Sequence, residues 1–236
     1  ELCQLGGVRV RDIARYGHCK KYYCKIWAAQ YSSFDKILIL DSNSLVFQNP
    51  NVIFGMLEST DKDAVYLFRD YVHCFHSMSK LWVENWLGVN SDDFCENAHM
   101  DEIDSSCVVI DKTRGGEDSI LETYKLAHYF LKSSWLLGDK DMWLLAAMRT
   151  GTKRTVHAKA PAFFTYTNDD GSVRPFEGHV HLDDANLPLY ANFQMISLCT
   201  MATDRLQYFA NADNDTDERY LPYCEGRLTE SATKTL

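Results

Sequence analysis

Three unbroken apolar runs punctuate the first half of the chain: Ile37-Leu38-Ile39-Leu40, Ala64-Val65-Tyr66-Leu67-Phe68 and Cys107-Val108-Val109-Ile110. None alternates with polar residues, the pattern of a strand covered on both faces, as in a parallel sheet. The first run stops at Asp41 and the third at Asp111. Segments of helical character lie between them. Residues 21–31, rich in aromatics and alanine, predict a helix, and Ser32-Ser33-Phe34-Asp35 predicts the turn after it. Asn49 and Pro50 form a helix start, with Asn49 as N-cap and proline at the first helical position. A Trp-rich helix is expected around residues 81–87. Ser119 and Glu122 have capping-box spacing before an apolar face that includes Ile120, Tyr124 and Leu131. A further helix is expected over residues 140–149, with Asp139 as N-cap and Gly151 as stop. Strands alternating with helices define an α/β domain. Short strands and loops follow Gly151, and an acidic, irregular tail is expected over 211–236. No Pro/Gly/Ser linker or repeat divides the chain, so residues 1–210 read as one domain.

Composition narrows the function classes. The 236 residues are 46% hydrophobic and 13% aromatic, as in a folded globular protein. A net charge of −9 argues against nucleic-acid binding, which needs clustered Lys and Arg. No apolar run approaches the roughly 20 residues that span a bilayer. The chain opens on Glu1, and the expectation is a fragment or a processed lumenal domain whose targeting segment lies elsewhere. The eight cysteines (Cys3, Cys19, Cys24, Cys74, Cys95, Cys107, Cys199 and Cys224) form no C-x-x-C pair, against zinc ribbons and thioredoxin chemistry. Disulfides in an oxidising compartment, or buried thiols, account for them. Cys107, inside an apolar run, is expected to be a core residue. Asn214-Asp215-Thr216 is a glycosylation triplet.

Candidate chemistry sits in three places. Asp41, at a strand's carboxyl end, is where an open α/β sheet presents its ligand crevice. With Asn43 two residues on, it supplies oxygen ligands for a hard cation and a diphosphate; a plain turn or cap is the alternative. In Glu177-Gly178-His179-Val180-His181-Leu182-Asp183 an extended backbone puts His179, His181 and Asp183 on one face, a divalent-metal half-site or an exposed polar face. Asp139 and Asp141 flank Lys140 at a helix start, where capping and the helix dipole already favour acids.

The order of these motifs resembles the fungal Golgi α-mannosyltransferases of the Mnn type. The entry from Ile26 through Asp41, the following Gln48-Asn49-Pro50, Asp104-Ser105-Ser106-Cys107-Val108-Val109-Ile110-Asp111-Lys112, Gly138-Asp139-Lys140-Asp141 and Gly178-His179-Val180-His181-Leu182-Asp183 with Pro188-Leu189 carry the resemblance. The resemblance implies a GT-A-like (Rossmann-like) mixed sheet flanked by helices, GDP-mannose as donor, a manganese-type ion and transfer with retention. Asp41 and Asn43 fall on the family's Asp-x-Asp positions, contacting metal and diphosphate. Asp104 and Ser105 fall beside the donor sugar, Asp139 near the reacting carbon with Asp141 in the same element, and His181, then His179, on the late metal ligand. Asp104 and Asp139 are the implied catalytic residues; Asp41, Asn43, Ser105 and Asp141 bind the donor; Asp41, Asn43 and His181 hold the metal. Two departures stand out: Asn43 replaces the second aspartate, and the chain is too short before Ile26 for the family's upstream β-α unit. The implied partners are a nucleotide-sugar donor and a glycan acceptor. The implied location is the Golgi lumen, as a type II membrane protein attached through an N-terminal anchor. The competing readings are a UDP-hexose transferase on the same fold and a non-catalytic binding or assembly subunit.

Overall fold

The computed structural model describes residues 23–73, 84, 88, 101–130, 139–167, 170, 173–193, 206–209 and 233–235. Helix α1 (Tyr23–Gln30) leads into β1 (Lys36–Leu40), β2 (Ser44–Val46), α2 (Pro50–Glu58), β3 (Val65–His73) and β4 (Asp101–Asp111). A short 3-10 turn at Lys112–Arg114 precedes α3 (Gly116–Phe130), α4 (Met142–Thr150) and β5 (Arg154–His157). Five strands complete the described elements: β6 (Ala162–Thr167), β7 (Val173–Leu182), β8 (Pro188–Phe193), β9 (Leu206–Phe209) and β10 (Thr233–Thr235).

These strands make a four-stranded sheet, β1-β4-β3-β5, and a six-stranded sheet, β10-β9-β6-β7-β8-β2. The apolar runs form the first sheet, though not as an all-parallel one. Strand β1 pairs antiparallel with β4, as β4 does with β3, while β3 and β5 run parallel. An unbroken apolar run reports that both faces are covered; strand direction is set by the connections, which the run does not encode. Both faces are covered here. Ile37, Ile39, Val65, Leu67, Val108 and Ile110 pack with residues of α1, α3 and α4. The alternate residues Leu38, Leu40, Tyr66, Phe68, Cys107 and Val109 pack on Ile53 and Leu57 of α2 and on Leu189 and Tyr190 of β8. The side-chain period of two thus sorts each run between two cores. The result is a mixed α/β fold of Rossmann-like type, a sheet flanked by helices.

Local chemistry explains two of the helix ends. The Asn49 side chain accepts from the Asn51 amide at 3.0 Å, with Pro50 first in α2. Gly151 ends α4 at φ 68°, a left-handed cap that glycine adopts without penalty. Two expected caps differ. Helix α3 begins at Gly116, so Ser119 lies inside its first turn, and Glu122 pairs with Arg149 and Lys125. Gly116 is required there, because a Cβ would stand 2.4 Å from Ile110 Cγ2 and 2.6 Å from the Asp111 carbonyl oxygen. Helix α4 begins after Asp141, at φ 61°, so Asp139 is not its cap.

Cys107 is a buried, free thiol of the core. Of the helix expected around 81–87, only Glu84 is described, and it is helical. Gly138, Leu131, Asn214 and the cysteines at 3, 19, 74, 95, 199 and 224 lie outside the described residues. Within the expected irregular tail, Thr233–Thr235 pairs with β9 as an edge strand. Among the described residues no helix is long and apolar enough to cross a membrane.

Candidate functional site

Strand β4 carries a bulge where the two sheets meet. Its pairing with β3 steps from Leu67↔Val108 to Phe68↔Asp104, so residues 105–107 are extra to the ladder. Bulges re-aim side chains, and this one places Asp104, Ser105 and Ser106 at the seam. On the other edge of β4 the Asp41 amide donates to the Ser106 carbonyl at 2.9 Å, and Ser44 N to Asp41 O closes a turn at 3.0 Å. That turn carries Asp41 and Asn43 and delivers the chain from β1 into β2 of the second sheet. From the second sheet, β7 contributes His179 and His181, opposite Asn192 and Tyr190 of β8.

Asp104 is the hub. Its Oδ2 lies 2.6 Å from His179 Nε2 and 3.0 Å from His181 Nε2, and accepts from Tyr190 Oη at 3.2 Å and from Ser106 Oγ. Its Oδ1 accepts from the Ser106 amide at 2.9 Å. Burial opposes the carboxylate's charge, but His179 and His181 outweigh it and hold Asp104 well below the usual carboxylate range. The two imidazoles are not equivalent. Burial pushes His181 down to about 4, and its ring stacks on Tyr190 at 4.6 Å with 13° between planes. His179 keeps 16% of its side chain exposed; burial works against its charge, yet Asp104 raises it above the ordinary histidine value. The Nδ1 of His181 is buried without a hydrogen-bond partner. The ligating atoms of Asp104, His179 and His181 all lie within 4.8 Å of one another. Two imidazole nitrogens and a carboxylate oxygen are a fitting donor set for a divalent transition ion, with coordination positions left for other oxygens.

A second cluster adjoins the first. Lys25, in α1, reaches Asp41 Oδ1 at 2.7 Å and Asp139 Oδ2 at 2.8 Å and donates to the Ser105 carbonyl at 2.6 Å. Burial disfavours the ammonium's charge, but Asp139 and Asp41 overcome this and raise Lys25 above the usual lysine value. Asp139 also accepts from Trp143 Nε1 at 2.9 Å and from Ser105 Oγ at 3.3 Å. Burial raises the Asp41 carboxyl, with Lys25 opposing the shift and the charges of Asp139 and Asp104 adding to it. The structure therefore gathers Asp41, Asp104, Ser105, Asp139, His179 and His181 from distant parts of the sequence. Asn43 sits half-buried on the Asp41 turn.

Two expected residues are engaged elsewhere. Asp183 lies past the end of β7, accepting from Gln48 Nε2 at 3.0 Å and from the Leu187 amide at 2.8 Å, because the strand ends at Leu182. Asp141 is buried and accepts from the Ile103 amide at 2.8 Å, tying the start of α4 to β4. Lys25, Ser106 and Tyr190 escaped the sequence reading. Lys25 did leave a signal, as the one charged residue in the helix YCKIWAAQ.

The Asp141 carboxyl makes a pH prediction. Burial and the neighbouring Glu102 push it up to about 8. Lys140 bridges Asp70 and Glu102 beside it, at 2.6 Å each. The folded state keeps this proton where the unfolded chain has released it, so stability falls as pH rises from about 4 to about 8. An asparagine at this position would mimic the protonated form, accept from Ile103 and tolerate the left-handed backbone. Asp141→Asn should match the parent near pH 4 and be more stable by about 2 kcal/mol or more at pH 8. Urea unfolding at both pH values checks this; equal stabilities at pH 8 contradict it.

The fold and site define an α/β protein with a carboxylate–imidazole cluster at the seam of its two sheets. Residues 7–85, about a third of the chain, match the family model described as "Mannosyltransferase putative". The match spans Lys25, Asp41 and Asn43 and stops before Asp104, Asp139, His179 and His181. It is a likeness of that one segment to mannosyltransferases. No curated protein matches the chain.

Proposed function

We propose that this chain transfers mannose from GDP-mannose to a glycan acceptor with retention of configuration, aided by a divalent ion such as manganese. The observation that carries the reading is the convergence of Asp104, His179 and His181 beside the Lys25–Asp41–Asp139 cluster, next to a segment that matches mannosyltransferases. Asp104, His179 and His181 would hold the ion, whose charge would offset that of the departing diphosphate. Ser106, Tyr190 and the packed ring of His181 keep Asp104 in place before any ligand arrives, so little reorganisation accompanies binding. Asp139, fixed by Lys25, Trp143 and Ser105, offers a carboxylate that can orient sugar hydroxyls or stabilise oxocarbenium charge. From the turn after β1, Asp41 would accept from the nucleotide's ribose hydroxyls, and the Asn43 carboxamide could donate to its phosphates.

The compartment belongs to the same reading. Eight cysteines and the Asn214 triplet fit a secretory-pathway protein of the Golgi lumen. Donor choice is tested by calorimetric titration with GDP and UDP in the presence of manganese, where GDP should bind at least about tenfold more tightly. Preference for UDP would replace mannose by another hexose while sparing the transferase reading.

A further inference from the structure

An Asp-x-Asn turn that holds a metal needs its carboxylate available to the ion. In this structure that carboxylate is already bound to a cation. The Lys25 ammonium has three N–H donors, and three acceptors surround it: Asp41 Oδ1 at 2.7 Å, Asp139 Oδ2 at 2.8 Å and the Ser105 carbonyl at 2.6 Å. Only 10% of the side chain is exposed. The two carboxylates come from β1's end and from the turn before α4, and both lie within one hydrogen bond of the same nitrogen. At that separation two negative charges repel strongly unless a cation stands between them. Asn43 fits the same arrangement. With a neutral carboxamide at that position, one lysine leaves Asp41, Asp139 and Lys25 with a net charge of about −1, so a second cation has little left to neutralise.

We propose that Lys25 is a resident cation of the site, occupying the place between Asp41 and Asp139 that a divalent ion would otherwise take, so that the ion belongs to Asp104, His179 and His181 alone. Lys25 is then a positioning residue: it fixes Asp139 toward the sugar and Asp41 toward the nucleotide without a metal bond to either. The inference rests on the transferase reading for the purpose of the ion, but the placement of the cations stands on geometry.

The test counts manganese ions bound to the full chain without nucleotide, by electron paramagnetic resonance of the free ion. Asp41→Asn, with Lys25 intact, should leave manganese affinity within about twofold of the parent, whereas loss of about tenfold or more would place the ion on Asp41 and overturn the proposal. Lys25→Met should bind one ion more than the parent, because it bares two carboxylates at cation-binding distance. Lys25→Gln is the second neutral variant, should the methionine disturb folding. The added ion should vanish when Asp41→Asn is combined with either. A folded neutral variant with the parent's ion count, or an added ion that survives Asp41→Asn, would also overturn it. Lys25→Arg should keep the parent's count, which separates the charge from packing by the stem. Because nucleotide is absent, failure here leaves donor choice untouched, and a UDP preference leaves the ion counts untouched.

Discussion

Asp104→Ala should abolish binding of an added divalent ion and cost several kcal/mol of stability. Four donors converge on the Asp104 Oδ2 at the seam of the two sheets: His179, His181, Tyr190 and Ser106. Truncation leaves them facing one another around a void. Removing one member of a buried, hydrogen-bonded charged pair typically costs about 3–5 kcal/mol, mostly from the groups left unpaired. Tyr190 and His181 are fully buried, and neither can turn to water for a replacement. Asp104→Asn isolates the charge from the shape. The amide retains the volume and can accept from Ser106, but its oxygen is a weaker ligand and no longer favours a protonated His179. Its stability loss should be smaller, while manganese affinity should still fall by on the order of a hundredfold, as for a lost charged ligand. Urea unfolding and manganese titration of both variants measure the two effects separately. A folded Asp104→Asn protein that binds manganese like the parent would remove Asp104 from the ion site.

Asp139→Asn should lower turnover on the order of a hundredfold with little change in the apparent affinity for donor. The expectation follows from where the side chain is. An aspartate that merely capped α4 would tolerate asparagine, since the two cap about equally well. Asp139 is not that cap; its carboxylate accepts from Lys25, Trp143 and Ser105 beside the other acids of the site. Asparagine retains an acceptor for Trp143 but withdraws the charge available to an oxocarbenium-like sugar. Steady-state kcat and KM measured separately show this, with Asp141→Asn as the neighbouring control. Unchanged kcat in a folded Asp139→Asn protein would reduce Asp139 to a structural anchor for Trp143.

Much of the frame was legible because it depends on local patterns. The runs ending at Leu40 and Ile110 became strands, Asn49-Pro50 opened a helix, and Gly151 closed one. Strand direction was not legible: the pairing of Leu40 with Cys107 is a long-range choice that an apolar run cannot encode. Caps failed where tertiary contacts outbid local preference. Asp139 had the position of a cap, but a lysine more than a hundred residues earlier claims its carboxylate. The site was half legible. His179 and His181 share a strand face, which the period of two predicts, and Asp104 precedes an apolar run. That Asp104 meets both histidines depends on a three-residue bulge in β4, which Asp104-Ser105-Ser106 does not announce. The role of Lys25 was not legible, because its partners sit 16 and 114 positions away.

In the proposed function, this site binds a guanine nucleotide sugar through a divalent ion held by Asp104, His179 and His181. Its most direct test is calorimetric titration of GDP into the parent and into Asp104→Asn, each with and without manganese, with UDP as the comparison. The expected result is GDP binding that manganese strengthens in the parent, a preference over UDP, and loss of the manganese enhancement in Asp104→Asn. GDP binding that ignores both manganese and the Asp104→Asn change, or no nucleotide binding under any condition, would contradict it.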